Sequence, residues 1–132
     1  MKKIHLLYVA FGVLFILSIL HFIGSVYYLY WTLRWFDSLA HFLGGAGIGF
    51  LFLWIWFVSG LFEKDVPTKK QVFIASLLVA MIAGFGWEFF EFVHGIANPI
   101  GSYQLDTFND LLFDFYGGVF AGLVGAYKKF YE

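Results

Sequence analysis

The sequence predicts an all-α fold, a four-helix bundle embedded in a membrane. Of the 132 residues, 61% are hydrophobic and only 13% are charged. The hydrophobic residues form four runs, each close to the ~20 residues that a helix needs to cross a hydrocarbon core. Seven of the eight basic residues lie on one side of these runs. We therefore expect a single transmembrane domain, residues 1–132, whose energetics are set by the lipid bilayer.

The predicted spans cover residues 4–28, 38–62, 71–94 and 107–127. Basic residues precede the first span, separate the second from the third and follow the fourth: Lys2, Lys3, Lys64, Lys69, Lys70, Lys128 and Lys129. By the positive-inside rule this side is cytoplasmic, so both termini are cytoplasmic and the chain lies in the inner or plasma membrane. The first run is long and lacks a convincing signal-peptide cleavage site, so we expect it to remain as a span.

An internal repeat relates the two halves of the chain, residues 1–62 and 71–132. One ungapped offset aligns His21 with His94, Asp37 with Asp110, Gly44 with Gly117, Gly45 with Gly118 and Gly49 with Gly122. Matches of rare residue types at one offset indicate duplication. The halves are then tandem helical hairpins related by a pseudo-twofold axis along the membrane normal, with Asp37 opposite Asp110. The second and fourth helices would meet through small residues, namely Gly45, Gly49, Gly118 and Gly122.

Polar residues at membrane depth mark the candidate site. Six of the nine acidic residues lie at or inside the ends of the hydrophobic runs: Asp37, Glu88, Glu91, Asp106, Asp110 and Asp114. The three aspartates of the fourth helix recur every four positions, and the two glutamates of the third helix recur with His94 every three. Each set therefore forms one stripe on its helix. His41 follows Asp37 by one helical turn, and His21 would join from the first helix.

Simple structural roles compete with a functional role at four of these positions. Asp37 and Asp106 stand where a predicted helix begins, and an N-cap explains such an aspartate. His94 precedes Gly95 and fits the last residue of a helix that ends in a glycine cap. His21 on an apolar helix is more often a hydrogen-bonded packing residue. Capping does not explain the remaining acids, Glu88, Glu91, Asp110 and Asp114.

So many carboxylates require neutralisation. With one outer basic residue, Arg34, they cannot all stay ionised and unpaired at membrane depth, so either cations or protons neutralise them. We favour cations, because carboxylate oxygens and imidazole nitrogens suit Zn, Mn, Fe or Mg. Glu91-Phe-Val-His94 also has the Glu-x-x-His pattern of di-iron carboxylate bundles. The candidate metal ligands are Asp37, His41, Glu88, Glu91, His94, Asp106, Asp110 and Asp114.

Three motifs within residues 37–122 carry a resemblance to known proteins. They are Asp37-x3-His41-Phe-x-x-Gly45, Trp87-Glu88-x-x-Glu91 and Asp106-Thr-x-x-Asp110-x-x-x-Asp114-x-x-Gly117. At these motifs the chain resembles the YjdF-like family of small bacterial inner-membrane proteins and, more distantly, the VanZ-like proteins. The resemblance implies a polytopic membrane protein with a polar site, and it implies no particular reaction.

Three functions fit these patterns. The first is a metal-dependent hydrolase or transferase that acts on a lipid or lipid-linked substrate near the extracytoplasmic face, with Glu88 as the general base. The second is a proton- or cation-coupled transporter or channel component, in which the same carboxylates bind the ion in passage. The third is an accessory membrane protein whose polar network fixes helix register. Homo-oligomers fit all three, and we expect no nucleic-acid partner.

Overall fold

Every regular element in the computed structural model, which describes residues 2–62, 65–96 and 102–128, is helical. The helices are α1 (Lys2–Val26), α2 (Leu29–Thr32), α3 (Arg34–Leu53), α4 (Lys69–His94) and α5 (Tyr103–Lys128). A π-helical segment, Trp54–Val58, continues α3. No strand occurs within the described ranges, so the prediction of an all-α fold is confirmed.

Three of the described helices are long and apolar enough to cross a membrane. The spans are Ile4–Val26, Arg34–Val58 and Lys69–His94. The fourth predicted span falls in α5, which is as long as α4 but whose aspartates and glycines lower its mean hydropathy. The apolar helices support the membrane class, and α5 is the helix that carries most of the buried acids.

The ends of α4 follow from local sequence. Thr68 and Gln71 form a capping box: the Gln71 N–H donates to Thr68 Oγ1 at 3.2 Å, and the Thr68 N–H donates to Gln71 Oε1 at 2.9 Å. Gly95 ends the helix with φ 63°, a left-handed conformation that glycine adopts without steric cost. His94 is therefore the last helical residue before a glycine cap.

The sequence also allows an N-cap at Asp37 and at Asp106, and that interpretation is wrong. Both are the fourth residue of their helix, because α3 and α5 each begin earlier than the predicted spans. Ser102 caps α5 instead, and its Oγ accepts the Leu105 N–H at 3.2 Å. Asp114 consequently lies about 16 Å along α5 from the first residue. Neither aspartate is explained by capping.

The helices α3, α4 and α5 pack against one another, and α1 packs on α3. One half of this assembly has an apolar core, made of Leu6, Ala10, Ala46, Phe50, Leu53, Val58, Val72, Ala121 and Ala126. The other half holds the buried carboxylates. Asp110 and Asp114 lie in the N-terminal half of α5, and Glu88 lies near the C-terminal end of α4. The molecule thus has an apolar half and a polar half.

Glycines allow α3 and α5 to approach closely. A Cβ on Gly45 would collide with the carbonyl oxygen of Asp114, and a Cβ on Gly117 would collide with that of Phe42. Gly49 faces both α4 and α5, because an added Cβ would be 2.6 Å from Ser76 Oγ and 2.9 Å from the Ala121 Cβ. The predicted glycine contact of these two helices is therefore present.

Two of the predicted seam residues face a different helix. A Cβ on Gly118 would lie 2.7 Å from the Ala80 Cβ, and one on Gly122 would lie 3.0 Å from Phe73 Cδ2. Both neighbours belong to α4. The prediction that Gly118 and Gly122 meet the second span is wrong, because neighbouring positions on α5 point to different helices.

Two Gly→Ala substitutions should have opposite effects on stability. Gly117→Ala should lower the free energy of unfolding by about 1–3 kcal/mol, because the new methyl group meets backbone atoms of α3 that cannot rotate away. Gly86→Ala, with no described atom within 4 Å of the new Cβ, should be neutral or stabilise by up to about 1 kcal/mol. Thermal unfolding in detergent measures both, and equal effects would contradict the close approach.

Candidate metal centre

The imidazole of His41 lies at the centre of three carboxylates. Its Nδ1 is 3.2 Å from both carboxylate oxygens of Asp114. Its Nε2 is 3.6 Å from Asp37 Oδ1, one turn earlier on α3, and 3.6 Å from Asp110 Oδ2 on α5. The ring is 8% exposed. One buried histidine therefore connects the two helices.

Glycines on two helices make room for the Asp114 side chain. A Cβ on Gly84 of α4 would collide with Asp114 Oδ2, and a Cβ on Gly45 of α3 would collide with the Asp114 backbone. The carboxylate therefore fits between α3 and α4 because both carry glycine at this level. Gly84, four residues before Glu88 on α4, is a signal in the sequence that points to this site and that sequence reasoning missed.

A second set of carboxylates lies between α4 and α5. Glu88, Glu91 and Asp110 each place an oxygen within 4.8 Å of the others. The indole Nε1 of Trp87 donates a hydrogen bond of 3.0 Å to Glu91 Oε1 and so fixes that side chain. The three helices α3, α4 and α5 therefore all contribute acids to one region.

Asp110 belongs to both of the groups that can hold a metal ion. The first group is Asp37, His41 and Asp110, and the second is Glu88, Glu91 and Asp110. Asp110 is only 1% exposed, yet its two carboxylate oxygens accept no hydrogen bond from any described residue. Glu88 is 7% exposed, and its Oε1 likewise lacks a hydrogen-bond partner within the described ranges. Oxygen atoms in this state can bind a cation.

The other predicted site residues lie outside these two groups. Asp106 is half-buried, one turn before Asp110. Asp114 contacts the His41 imidazole and belongs to neither group of three. His94 is exposed, and its Nδ1 lies 2.9 Å from the carbonyl oxygen of Phe90 in its own helix. His21 Nδ1 lies 2.8 Å from the hydroxyl of Tyr30, which agrees with the packing role.

Residues 1–129 match the family described as predicted membrane protein (DUF2238). The chain belongs to this family. No curated protein and no solved structure matches it. Membership in DUF2238 confirms the membrane class that composition and the apolar helices indicate, but it supports neither the YjdF-like nor the VanZ-like name in particular.

Two polar residues of this DUF2238 chain also bridge α3 and α5 and were missed by sequence reasoning. Asn109 Nδ2 donates a 2.7 Å hydrogen bond to Ser38 Oγ. Ser38 directly follows Asp37, and Asn109 directly precedes Asp110, so their positions beside the acids are the signal that identifies them. This bond helps to hold the acid-bearing ends of α3 and α5 together.

Tyr30 lies near Asp37 and Glu91 at one end of this region. The residue is 9% exposed, and burial, together with the nearby charges of Asp37 and Glu91, raises the pKa of its phenol to about 12. The phenol therefore keeps its proton at neutral pH and can donate to an unprotonated His21 Nδ1. Tyr30 also packs edge-on against Phe36, with ring centroids 4.9 Å apart. This contact ties α1 and α2 to the start of α3.

An open groove of about 730 Å³ lies beside the carboxylates in this DUF2238 protein, between the first turns of α3 and α5. Apolar side chains that include Trp35, Phe42 and Phe108 line it together with Arg34. Asp37 belongs both to the groove wall and to the first ligand group. The groove therefore reaches the candidate centre from the side.

A double-mutant cycle should detect the contact between His41 and Asp114. His41→Gln and Asp114→Asn should each destabilise the protein, with a coupling energy of about 0.5–3 kcal/mol, because each change removes the same buried contact. Unfolding in detergent by heat or denaturant measures the four species. In the matched cycle, His94→Gln should be additive with Asp114→Asn, since His94 contacts its own helix. Coupling of similar size in both cycles would argue against a specific pair.

Proposed function

We propose that the protein binds a divalent cation between α3 and α5, through Asp37, His41 and Asp110. The observation that carries this proposal is Asp110, whose buried carboxylate has no hydrogen-bond partner for either oxygen among the residues that the structure describes. A buried carboxylate that accepts no hydrogen bond is destabilised by several kcal/mol, and the imidazole of His41, 3.6 Å from Asp110 Oδ2, is too far away to supply one. A cation at this position supplies the missing partner.

The orientation of His41 supports the same site. Its Nδ1 contacts Asp114, which leaves Nε2 directed toward Asp37 and Asp110. Metal-binding histidines commonly donate their other ring N–H to a carboxylate in this way, which fixes the tautomer and the ring orientation. Nε2 lies 3.6 Å from Asp37 Oδ1 and 3.6 Å from Asp110 Oδ2, and ligand atoms of the three residues lie within 4.8 Å of one another. Atoms that bind one ion at about 2.0–2.2 Å lie roughly 3–3.5 Å apart, so a small contraction completes the site.

The donor atoms restrict the choice of ion. One imidazole nitrogen and two carboxylates fit Zn, Mn or Fe, whereas Mg prefers oxygen donors alone. Protonation would also neutralise Asp110, and the new hydroxyl would have the Asp37 carboxylate as its acceptor, but the other buried oxygen of Asp110 would stay without a hydrogen bond. A cation neutralises the charge and binds the oxygens at the same time. We therefore prefer a metal ion to a proton at this position.

We infer that the bound ion serves hydrolysis or group transfer on a lipid or lipid-linked substrate. A bound divalent ion acidifies a water ligand and polarises phosphoryl or carbonyl oxygens. Glu88 is our candidate general base, because it is buried close to Asp110 and its Oε1 is unpartnered within the described residues. The adjacent groove offers apolar walls and the guanidinium of Arg34, which suit an acyl chain and an anionic headgroup.

We place this centre near the extracytoplasmic face, with α5 as the fourth span and both termini in the cytoplasm of an inner-membrane protein. The lysine distribution supports this orientation. The packing of α5 along both α3 and α4 supports its insertion beside them. The pseudo-twofold repeat is part of this proposal, because it pairs Asp37 with Asp110. The YjdF-like and VanZ-like resemblances also remain part of it.

The two alternative functions fit the contacts less well. A transport path would have to cross the half of the molecule whose described core is apolar from Leu6 to Ala126. A purely structural network would satisfy its own polar atoms, as Ser76 does by donating to the Gly118 carbonyl at 2.9 Å. Oxygen atoms of Asp110 and Glu88 that lack partners among the described side chains indicate a ligand instead.

Elemental analysis of detergent-purified protein tests the site directly. Protein prepared without chelators and loaded with Zn or Mn should carry near-stoichiometric metal, and Asp110→Asn should lose it because it removes a charge from the centre. Asp65→Asn is the matched control, since Asp65 is exposed in the loop before α4. Metal-free wild-type protein after loading, or an Asp110→Asn protein with full metal content, would refute the proposal.

Asp114 should affect metal affinity without being a ligand. Asp114→Asn should weaken binding roughly 10–100-fold, because His41 loses the carboxylate that orients its ring. Competition with a chromophoric chelator measures the affinity of each protein. The stoichiometry at saturating metal should stay that of the wild type. A loss of stoichiometry at saturation would show instead that Asp114 is itself a ligand.

A further inference from the structure

Glu88 and Glu91, two of the three acids between α4 and α5, take no part in binding a single ion at His41. Glu88, Glu91 and Asp110 bring three oxygens within 4.8 Å of one another. Glu88 is 7% exposed, and its Oε1 has no hydrogen-bond partner in the described part of the chain. Three acids of the same charge would repel one another here without a cation. A buried Glu88 oxygen without a hydrogen-bond partner therefore points to a second bound ion.

We propose that Glu88, Glu91 and Asp110 bind a second divalent cation, with Asp110 bridging the two ions. Asp110 is the one residue shared by both ligand groups of the described chain, and both of its oxygens are buried without hydrogen-bond partners there. A bridging carboxylate uses one oxygen for each ion. This inference rests on the proposed first site, because it shares Asp110 with that site.

The charges of the two groups support a pair of ions. Asp37, Glu88, Glu91 and Asp110 carry four negative charges when ionised, and two divalent cations carry four positive ones. Asp114 adds a fifth carboxylate, which accepts a hydrogen bond from the imidazole, because a His41 that binds metal through Nε2 is neutral. A single divalent ion would leave two carboxylate charges uncompensated in a region with little solvent access. The second ion balances the charges of the four ligand carboxylates.

The donor set of the second site differs from that of the first. It consists of carboxylate oxygens alone, which favour hard ions such as Mg²⁺ or Mn²⁺. The Trp87 indole holds Glu91 by a hydrogen bond of 3.0 Å, and hydrogen bonds of this kind orient carboxylate ligands. Glu88 would bind this ion through Oε1, while Thr107 donates a hydrogen bond to its carboxylate. With both ions bound, Glu88 is therefore a ligand and not a free base. Mn²⁺ fits both sites and is therefore the suitable probe.

Mn²⁺ binding to the full chain in lipid nanodiscs tests the second site. Wild-type protein should bind two Mn²⁺ ions with an exchange-coupled electron paramagnetic resonance spectrum, as expected for ions about 3.5–4 Å apart. Glu91→Gln should bind one ion and show an uncoupled spectrum, as should Glu88→Gln. Glu91→Gln retains an oxygen that accepts the Trp87 hydrogen bond, which favours normal folding. Asp65→Asn should behave as the wild type.

The outcomes separate this inference from the proposed function. One ion in the wild type that is retained in Glu91→Gln but lost in Asp37→Asn would overturn the second site and leave the first. Two ions in Glu91→Gln and in Glu88→Gln, still coupled, would overturn the assigned ligands. No bound ion in the wild type at saturating Mn²⁺ would overturn both sites. The coupled wild-type spectrum needs no variant and guards against misfolding as an explanation.

Discussion

The contact between the backbones of α3 and α5 is the constraint on which the rest of the structure depends. Gly45 and Gly117 remove the side chains that would keep these helices apart. The short separation brings His41 of α3 within 3.2 Å of Asp114 and 3.6 Å of Asp110, both on α5. A wider spacing would leave the imidazole in contact with Asp37 alone. Small residues in the seam thus determine which polar groups can meet.

The division into an apolar half and a polar half has an energetic basis. In a membrane, apolar packing gains little over contact with lipid, so close packing and polar interactions hold helices together. Leu6, Phe50 and Leu53 fill the apolar half, where α1 and α4 begin. The polar half is held by contacts such as those of His41 with the aspartates and of Asn109 with Ser38. Buried acids are stable here only where they contact one another, a histidine or a cation.

Much of this arrangement follows from periodicity in the sequence. The apolar runs predict the helices, and the spacing of acids along α4 and α5 predicts which share a face. Periodicity thus predicted the stripes that contain Asp37, His41, Glu88, Glu91 and Asp110, and the rotation of the helices makes these stripes converge. Helix starts were less so, since the chain before the apolar runs also forms helix, and this removed Asp37 and Asp106 from the cap positions.

The rotation of each helix could not be read from the sequence. Periodicity gives the angle between residues on one helix but not the direction in which a stripe points, which depends on packing with the neighbours. His94 lies on the same helix as Glu88 and Glu91, but its ring contacts the Phe90 carbonyl. His21 on α1 contacts the Tyr30 hydroxyl. Gly118 and Gly122 turn toward α4 for the same reason. Tertiary contacts decide these positions.

The place of Asp110 on the last helix has a consequence for biosynthesis. Chains are made from the N-terminus, so α1 and α3 can pair while α4 and α5 are still being synthesised. Until α5 has been made, Asp37 and His41 lack Asp110, the residue that both groups share. The proposed centre can form only after α5 has packed against α3 and α4. Binding of the proposed ions would thus report that α5 has joined the other helices.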